Sequence, residues 1–294
     1  MTINYDPTEP VWRVYRGRLL MLAGLALASV AALACLPPLP QSLAYHHFAD
    51  ERTLLGVPNF LNVVSNLPFL FVGMGGLWFV FRQRAGTGTA FLNPVERWPF
   101  VLFFLGVGLT AFGSSYYHLD PNNDRLLWDR LPMAVAFVSL FAAVLGERID
   151  VKLGVRLLSP LVLLGLGSVL YWHWTEQRGR GDLRPYYFVQ FYPLLALPLL
   201  LLLLPPRYTR TSDLFVALGW YVLAKVCEHP GDAVIYELSH EISGHTLKHL
   251  AAAAGAYWIL RMLQYRLAAT RSGARLRYFK TGNFNALPPR IPWA

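Results

Sequence analysis

Ser114, His118, Asp129, His245 and His249 are the residues whose types and spacing offer chemistry. Ser114 and His118 stand four apart near the end of one apolar run, and His245 and His249 four apart in a later one. Four residues is about one helical turn, so each pair projects from one helix face. Imidazole nitrogens suit zinc, and a catalytic zinc site uses three protein ligands and keeps a fourth position for water. His118, His245 and His249, drawn from two helices, meet that count. Asp129 follows the polar turn Asp120-Pro121-Asn122-Asn123-Asp124, where Asn123 or Asp124 is expected to cap the next helix. Asp129 then falls just over one turn into the antiparallel neighbour, at about the depth of His118, where a carboxylate serves as base to a metal-activated water. A single histidine at a helix end is ordinarily an interfacial residue; the combination is what points to a metal. The stretch His240-Glu241-Ile242-Ser243-Gly244-His245 is not a zincin motif, because three residues rather than two separate Glu241 from His245.

The elements that must hold these residues are apolar. Of 294 residues, 55% are hydrophobic and only 15% charged, with a mean hydropathy of +0.37. A soluble domain carries about 25% charged residues, so an ordinary water-facing surface is excluded and an all-α polytopic membrane bundle is expected. Eight runs approach the roughly 20 residues that a span requires: Leu19–Leu36, Phe60–Phe81, Trp98–Tyr117, Leu126–Leu145, Leu157–Trp174, Tyr186–Leu204, Leu214–Val226 and Ile242–Met262. The seventh is short and carries Lys225. Two cysteines, Cys35 and Cys227, lie in apolar runs and make no disulfide framework.

The net charge of +9 reads as topology rather than nucleic-acid binding. With an even number of spans both termini share a side, and that side collects 18 of the 26 Lys and Arg against 6 of the 17 Asp and Glu. By the positive-inside rule both termini are cytoplasmic and the histidines lie at the outer face. No Asn-x-Ser/Thr sequon occurs, which favours a bacterial inner membrane. The first run follows Arg13, Arg16 and Arg18 and ends in Ala32-Leu33-Ala34, so a cleaved signal peptide is the alternative to a span. Residues 1–44 are thus read as a cytoplasmic N-terminus with an added span, 45–265 as a seven-span core, and 266–294 as a basic, disordered cytoplasmic tail.

Other polar residues have structural readings. His46, His47, His173 and His229 are expected in outer loops, solvated. Lys225, Glu228, Asp232 and Glu237 read as an interfacial salt-bridge group closing the outer end of the seventh span. Asn59, Asn62, Ser65 and Asn66 read as polar glue between helices. Tyr116, Tyr117, Trp128, Trp172 and Trp174 suit an interfacial aromatic belt.

The ordered set Ser-x-x-x-His, an Asp eleven residues on, and a late His-x-x-x-His resembles the alkaline ceramidase family. That family sits in a superfamily of seven-span hydrolase-like proteins that includes progestin and adiponectin receptors and Per1-like lipid-remodelling proteins. The stretch Pro58-Asn59-Phe60-Leu61-Asn62-Val63-Val64-Ser65-Asn66-Leu67 is similar to the family's first core helix, and the resemblance covers about residues 45–265. It implies zinc on His118, His245 and His249, Asp129 activating water, Ser114 near the reacting carbonyl, and cleavage of a ceramide amide to a sphingoid base and a fatty acid. The substrate would be a lipid from the bilayer; oligomeric state is left open. Eukaryotic members of the family hold calcium near the zinc site through an acidic N-terminal loop and a Glu whose position here is Asn59. That departure puts calcium in doubt and leaves Asp50 and Asn59 as a second metal site or as structural residues, with Asp50 paired to Arg52. The choice of amide over ester rests on the resemblance alone. The alternatives are an esterase or remodelling hydrolase with the same zinc chemistry, a receptor-like protein with structural zinc, and a transporter using Asp129, Lys225 and Glu228. Transport is disfavoured by the lack of an inverted repeat.

Overall fold

The computed structural model describes residues 11–86 and 88–269, and every regular element among them is helical. A single turn, α1 (Val11–Val14), leads into α2 (Arg16–Cys35). A covering segment with one 3-10 turn, Leu43–His46, then leads to α3 (Phe60–Val64) and α4 (Leu67–Arg82). These are followed by α5 (Arg97–Leu119), α6 (Asn123–Arg148), α7 (Val151–Gln177), α8 (Arg184–Leu203) and α9 (Thr211–Glu228). A short α10 (Gly231–Ser239) precedes α11 (Gly244–Tyr265).

Each expected span finds a helix. Six are long and apolar enough to cross a membrane, with α3 and α4 counting together as Phe60–Arg82. The two expected spans outside those six, α9 and α11, carry Asp213, Lys225, Glu228, Lys248 and Arg261. In the bundle these charges pair with one another. Asp213 takes Arg210 at 2.7 Å and Arg261 at 3.6 Å, and Glu228 takes Lys225 at 2.6 Å and Lys248 at 3.2 Å. Paired charges inside a bundle cost far less than exposed ones in lipid.

The broken second span has a local cause. Pro68 sits in the first turn of α4, where a missing N–H is tolerated, and the chain before it turns through Ser65 and Asn66. Asn59 precedes α3 in the left-handed region at φ 48°, which asparagine tolerates better than most residues. The first turn of α6 is capped by Asn122, whose Oδ1 accepts the Arg125 N–H at 3.0 Å, one residue before the expected cap. The element α10 was not expected: its nine residues read as loop, being too short for a span.

Helix α5 packs between α4 and α6, α6 extends the layer to α7 and α8, and α11 closes against α4 with α9 packed on it. Helix α2 stands outside, against α8. Only Leu22 of α2 is buried, which fits an added span on a complete core.

The end of the bundle away from the histidines is tied by arginines. Arg207 reaches Glu96 at 2.9 Å, with the Tyr208 hydroxyl on the same carboxylate. Arg266 is fully buried, bonded to the Ala90 carbonyl at 2.8 Å and to Glu147. The start of the tail expected from residue 266 is thus ordered, since residues 267–269 bond to Arg207 and Thr209. Its remainder, 270–294, lies outside the described residues. Between α7 and α8, Arg184 clasps Asp182 at 2.8 Å and holds its carboxyl below the ordinary value, while also donating to the Leu36 carbonyl at 2.6 Å.

Candidate metal centre

The C-terminal turn of α5 brings His118 to the first turns of α11, which carry His245 and His249. All three are buried, and their candidate ligand atoms lie within 4.8 Å of one another. The ring centroids form a near-equilateral triangle: 4.9 Å from His118 to His245 and to His249, and 5.0 Å between the last two. Phe48, from the covering segment, closes over the triangle 4.5 Å from His245 and 4.8 Å from His118.

Hydrogen bonding says which nitrogens are open. Both His118 nitrogens and His249 Nε2 are buried without a partner. Buried polar atoms are nearly always satisfied, so an orphaned nitrogen on each of two neighbouring rings, with ligand atoms of all three histidines within 4.8 Å, is the pattern of a cation-binding site. The Ser65 hydroxyl lies 3.2 Å from the Asn62 carbonyl and 2.8 Å from His249 Nδ1. With its proton on that carbonyl the hydroxyl accepts from Nδ1–H, and Nε2 then keeps its lone pair, the arrangement that orients a ligating histidine. For His118 the backbone is held instead: Asn59 Nδ2 donates to its carbonyl at 2.9 Å. The His245 amide donates to Asp232 Oδ1 at 2.7 Å, and Asp232 Oδ2 accepts from the Ala49 N–H at 3.0 Å, tying the covering segment to α11. Three buried histidines, two of them with open nitrogens, fit a borderline metal such as zinc. The arrangement makes a buried histidine trio able to hold a metal ion.

His245 differs from the other two. Its Nε2 accepts from the Lys248 ammonium at 2.8 Å, and the same ammonium reaches Glu228. Glu228 also accepts from the Tyr45 hydroxyl at 3.1 Å. Burial and the Glu228 carboxylate push the Tyr45 phenol well above its ordinary value, so it remains a donor.

Asp129 and Ser114 complete the arrangement from opposite helices. Both are buried, they lie within hydrogen-bonding reach of each other, and they line one cavity together with His249. Asp129 Oδ1 has no partner. The closeness of α5 and α6 here has a sequence cause. Pro132 has no N–H for the carbonyl four residues back, that of Trp128. Gly113 lies against that freed carbonyl; a Cβ on Gly113 would stand 2.1 Å from the Trp128 oxygen. The cavity holds about 530 Å³, within the range of small-molecule sites, about 300–1,000 Å³. It runs among α4, α5, α6, α8, α9 and α11, with apolar walls beyond the polar end.

The remaining expectations divide. Asp50 is buried with both carboxylate oxygens on Arg52, at 2.8 and 3.0 Å, as the expected ion pair. Asn59 spends its amide on His118. His47 and His229 are exposed, but His46 and His173 are not the solvated loop residues expected. His46 is half-buried between the Tyr117 hydroxyl and Asn123, each at 2.9 Å, and burial lowers its pKa. His173 lies on α7, 2.9 Å from Asp124. Of the expected aromatic belt, Tyr116, Trp128 and Trp174 face outward, whereas Tyr117 and Trp172 are core residues. Of the expected salt-bridge group, Lys225 and Glu228 do pair, but Glu228 is buried and shared with Lys248, Asp232 bonds backbone amides rather than a cation, and Glu237 is exposed. Ser65, Lys248 and Arg130 were not singled out as site residues, though Ser65 and Lys248 contact the histidines directly. No protein-family model matches the chain, and no curated protein matches it.

Proposed function

We propose that the chain is an integral membrane hydrolase, zinc-dependent through His118, His245 and His249, that cleaves the amide of a membrane lipid to an amine and a fatty acid. A ceramide or a related N-acyl lipid is the substrate class, following the resemblance to alkaline ceramidases. The observation that carries the reading is the buried histidine trio beside an unpartnered Asp129 oxygen on one cavity. A purely structural metal has no use for that carboxylate or for the cavity.

When bound, zinc supplies a Lewis acid that lowers the pKa of a water to about 7 and polarises a carbonyl. The chain's residues do the rest. Asp129, through its free Oδ1, accepts the proton of the attacking water and passes it to the leaving nitrogen, so that water adds across the C–N bond with no net proton change. Ser114, across from Asp129, donates to the carbonyl oxygen as negative charge builds there. Ser65 holds the His249 ring in its ligating tautomer. The apolar cavity walls take the acyl chain and exclude bulk water. By the charge asymmetry of the loops, the site opens toward the outer face of a bacterial inner membrane.

Fatty-acid release from ceramide, phytoceramide, N-acyl amino acids and phospholipid esters, by purified protein with and without a zinc chelator, tests this. Chelator-sensitive release confined to the amides is the expected result, with little effect of withholding calcium. Release from esters alone would replace amide with ester hydrolysis. No turnover by metal-loaded protein would overturn the enzyme reading and leave a structural metal.

A further inference from the structure

Arg130 follows the proposed base on α6, is only 5% exposed and lines the same cavity. Its environment is unusual for a buried cation. One guanidinium nitrogen, Nη2, donates to Gln41 Oε1 at 2.6 Å. The group is walled by the rings of Trp172 at 4.3 Å, Tyr186 at 4.9 Å and Tyr45 at 5.7 Å. No ion pair to a carboxylate forms among the described residues, and Nη1 is buried without any partner. Arg266 and Arg207, by contrast, each hold a glutamate.

Aromatic faces and one amide stabilise a guanidinium but leave its second arm unmet, and an unpaired buried charge is expensive. The surrounding charges do not meet it either. The charged cavity residues are Arg130, Lys225 and Lys248 against Asp129 and Glu228, and Glu228 is already shared by the two lysines. One positive charge is left over, at the polar end, before any metal is counted.

We infer that Arg130 binds a carboxylate carried by the lipid, so that the favoured ligand is an N-acyl lipid with an acidic head, such as an N-acyl amino acid, rather than an uncharged one. Arginine suits this because its planar fork meets a carboxylate's two oxygens, and the three rings fix the direction of the open arm. Gln41 and Tyr45 come from the segment covering this end, and Tyr186 from the first turn of α8, so the group sits at headgroup level rather than among acyl chains. The inference rests on the proposed lipid reading for the ligand's tail, but not on its being cleaved. A fatty-acid product carries the same chemical group and is the other possible source.

The test uses two lipids with no cleavable amide or ester, hexadecyloxyacetic acid and 2-(hexadecyloxy)ethanol, titrated into the full-length protein as purified in uncharged detergent. Fluorescence of Trp172 beneath the guanidinium, or calorimetry, reads binding. Wild type is expected to bind the acid at least tenfold more tightly than the alcohol. Arg130→Gln should abolish the preference, and Arg130→Lys should keep part of it. Equal binding of the two lipids by wild type overturns the inference without any variant, and so does a preference that survives in Arg130→Gln, which would place the anion at the metal. Competition identifies the source. Stronger displacement of the acid by N-stearoylglycine than by stearic acid supports the headgroup, and the reverse order overturns that assignment in favour of the product. Acid binding through Arg130 in a protein that cleaves nothing would defeat the hydrolase reading and leave this one standing. Cleavage of ceramide with no acid preference would do the opposite.

Discussion

Gly113→Ala is the perturbation that best separates positioning from composition at this centre. The new Cβ would stand 2.1 Å from the Trp128 carbonyl oxygen and 3.3 Å from the Asp129 nitrogen, with backbone rather than flexible side chain in the way. Ordinary contact begins well above 3 Å, so α5 and α6 must part by about 1 Å at this level. The displaced neighbours are Ser114 and Asp129, the two residues that meet across the seam. A misplacement of about 1 Å can cost on the order of 10²-fold in rate, and the overpacking itself about 1–3 kcal/mol of stability. The histidines are held from the other side, His118 by Asn59 and His249 by Ser65 at the two ends of α3, so metal content should stay at the wild-type level while turnover falls about 100-fold. The control is Gly167→Ala on α7, where a Cβ meets nothing within 4 Å; it should be neutral or slightly stabilising, because alanine is the better helix former. The assays are metal content by elemental analysis and fatty-acid release on the best amide of the panel. A folded Gly113→Ala protein with wild-type turnover would refute the idea that the α5–α6 approach sets the Ser114–Asp129 geometry.

Three further substitutions address individual side chains. Asp129→Asn keeps the size and removes the base, so metal should remain and turnover drop about 10²–10⁴-fold; retained turnover would remove Asp129 from that role. Ser65→Ala strips the partner of His249 Nδ1 and should weaken metal binding about 10–100-fold, read by competition with a chromogenic chelator. Lys248→Met releases His245 Nε2 from a charge-assisted hydrogen bond, an interaction of about 1.5–3 kcal/mol, and leaves Glu228 paired with Lys225. It should tighten metal binding roughly tenfold or more, whereas weaker binding would mean that Lys248 positions His245 for coordination through Nδ1.

The helices were legible because spans announce themselves by length and apolarity, and even α9 was visible despite its lysine. What the pattern could not convey was where a polar or aromatic residue points. Tyr117 and Trp172 have the amphipathic character that suits an interface, yet each sits at less than 2% exposure. Tyr117 is turned inward toward His46, and Trp172 bonds to Glu176 at 3.1 Å and lies under Arg130. Arg266 reads as the start of a basic tail, but its guanidinium finds a carbonyl, a carboxylate and three rings inside the bundle. A long side chain near a helix end can snorkel outward or fold inward, and only the neighbours decide.

The same distinction runs through the centre. The two pairs four residues apart were readable because one helix turn brings each pair onto a common face, a purely local fact. Ser65 and Glu228 were not, since each acts across a helix seam, Ser65 on His249, 184 positions away, and Glu228 on Lys248, 20 positions away. Lys248 in turn reaches His245 three positions back on its own helix. Lys248 even lies between the two histidines in sequence, where an exposed lysine on the opposite face is the default expectation. Its inward turn depends on Glu228, which arrives from α9 and, by holding two lysines and a tyrosine at once, is already saturated. That saturation bears on function. With Glu228 committed, the only carboxylate and the only guanidinium with an open atom among the described residues lining the cavity are Asp129 and its neighbour in sequence, Arg130. The proposed proton acceptor and the inferred anion receptor thus sit on consecutive residues of one helix, pointing about 100° apart. One can face the scissile bond while the other holds the headgroup beyond it.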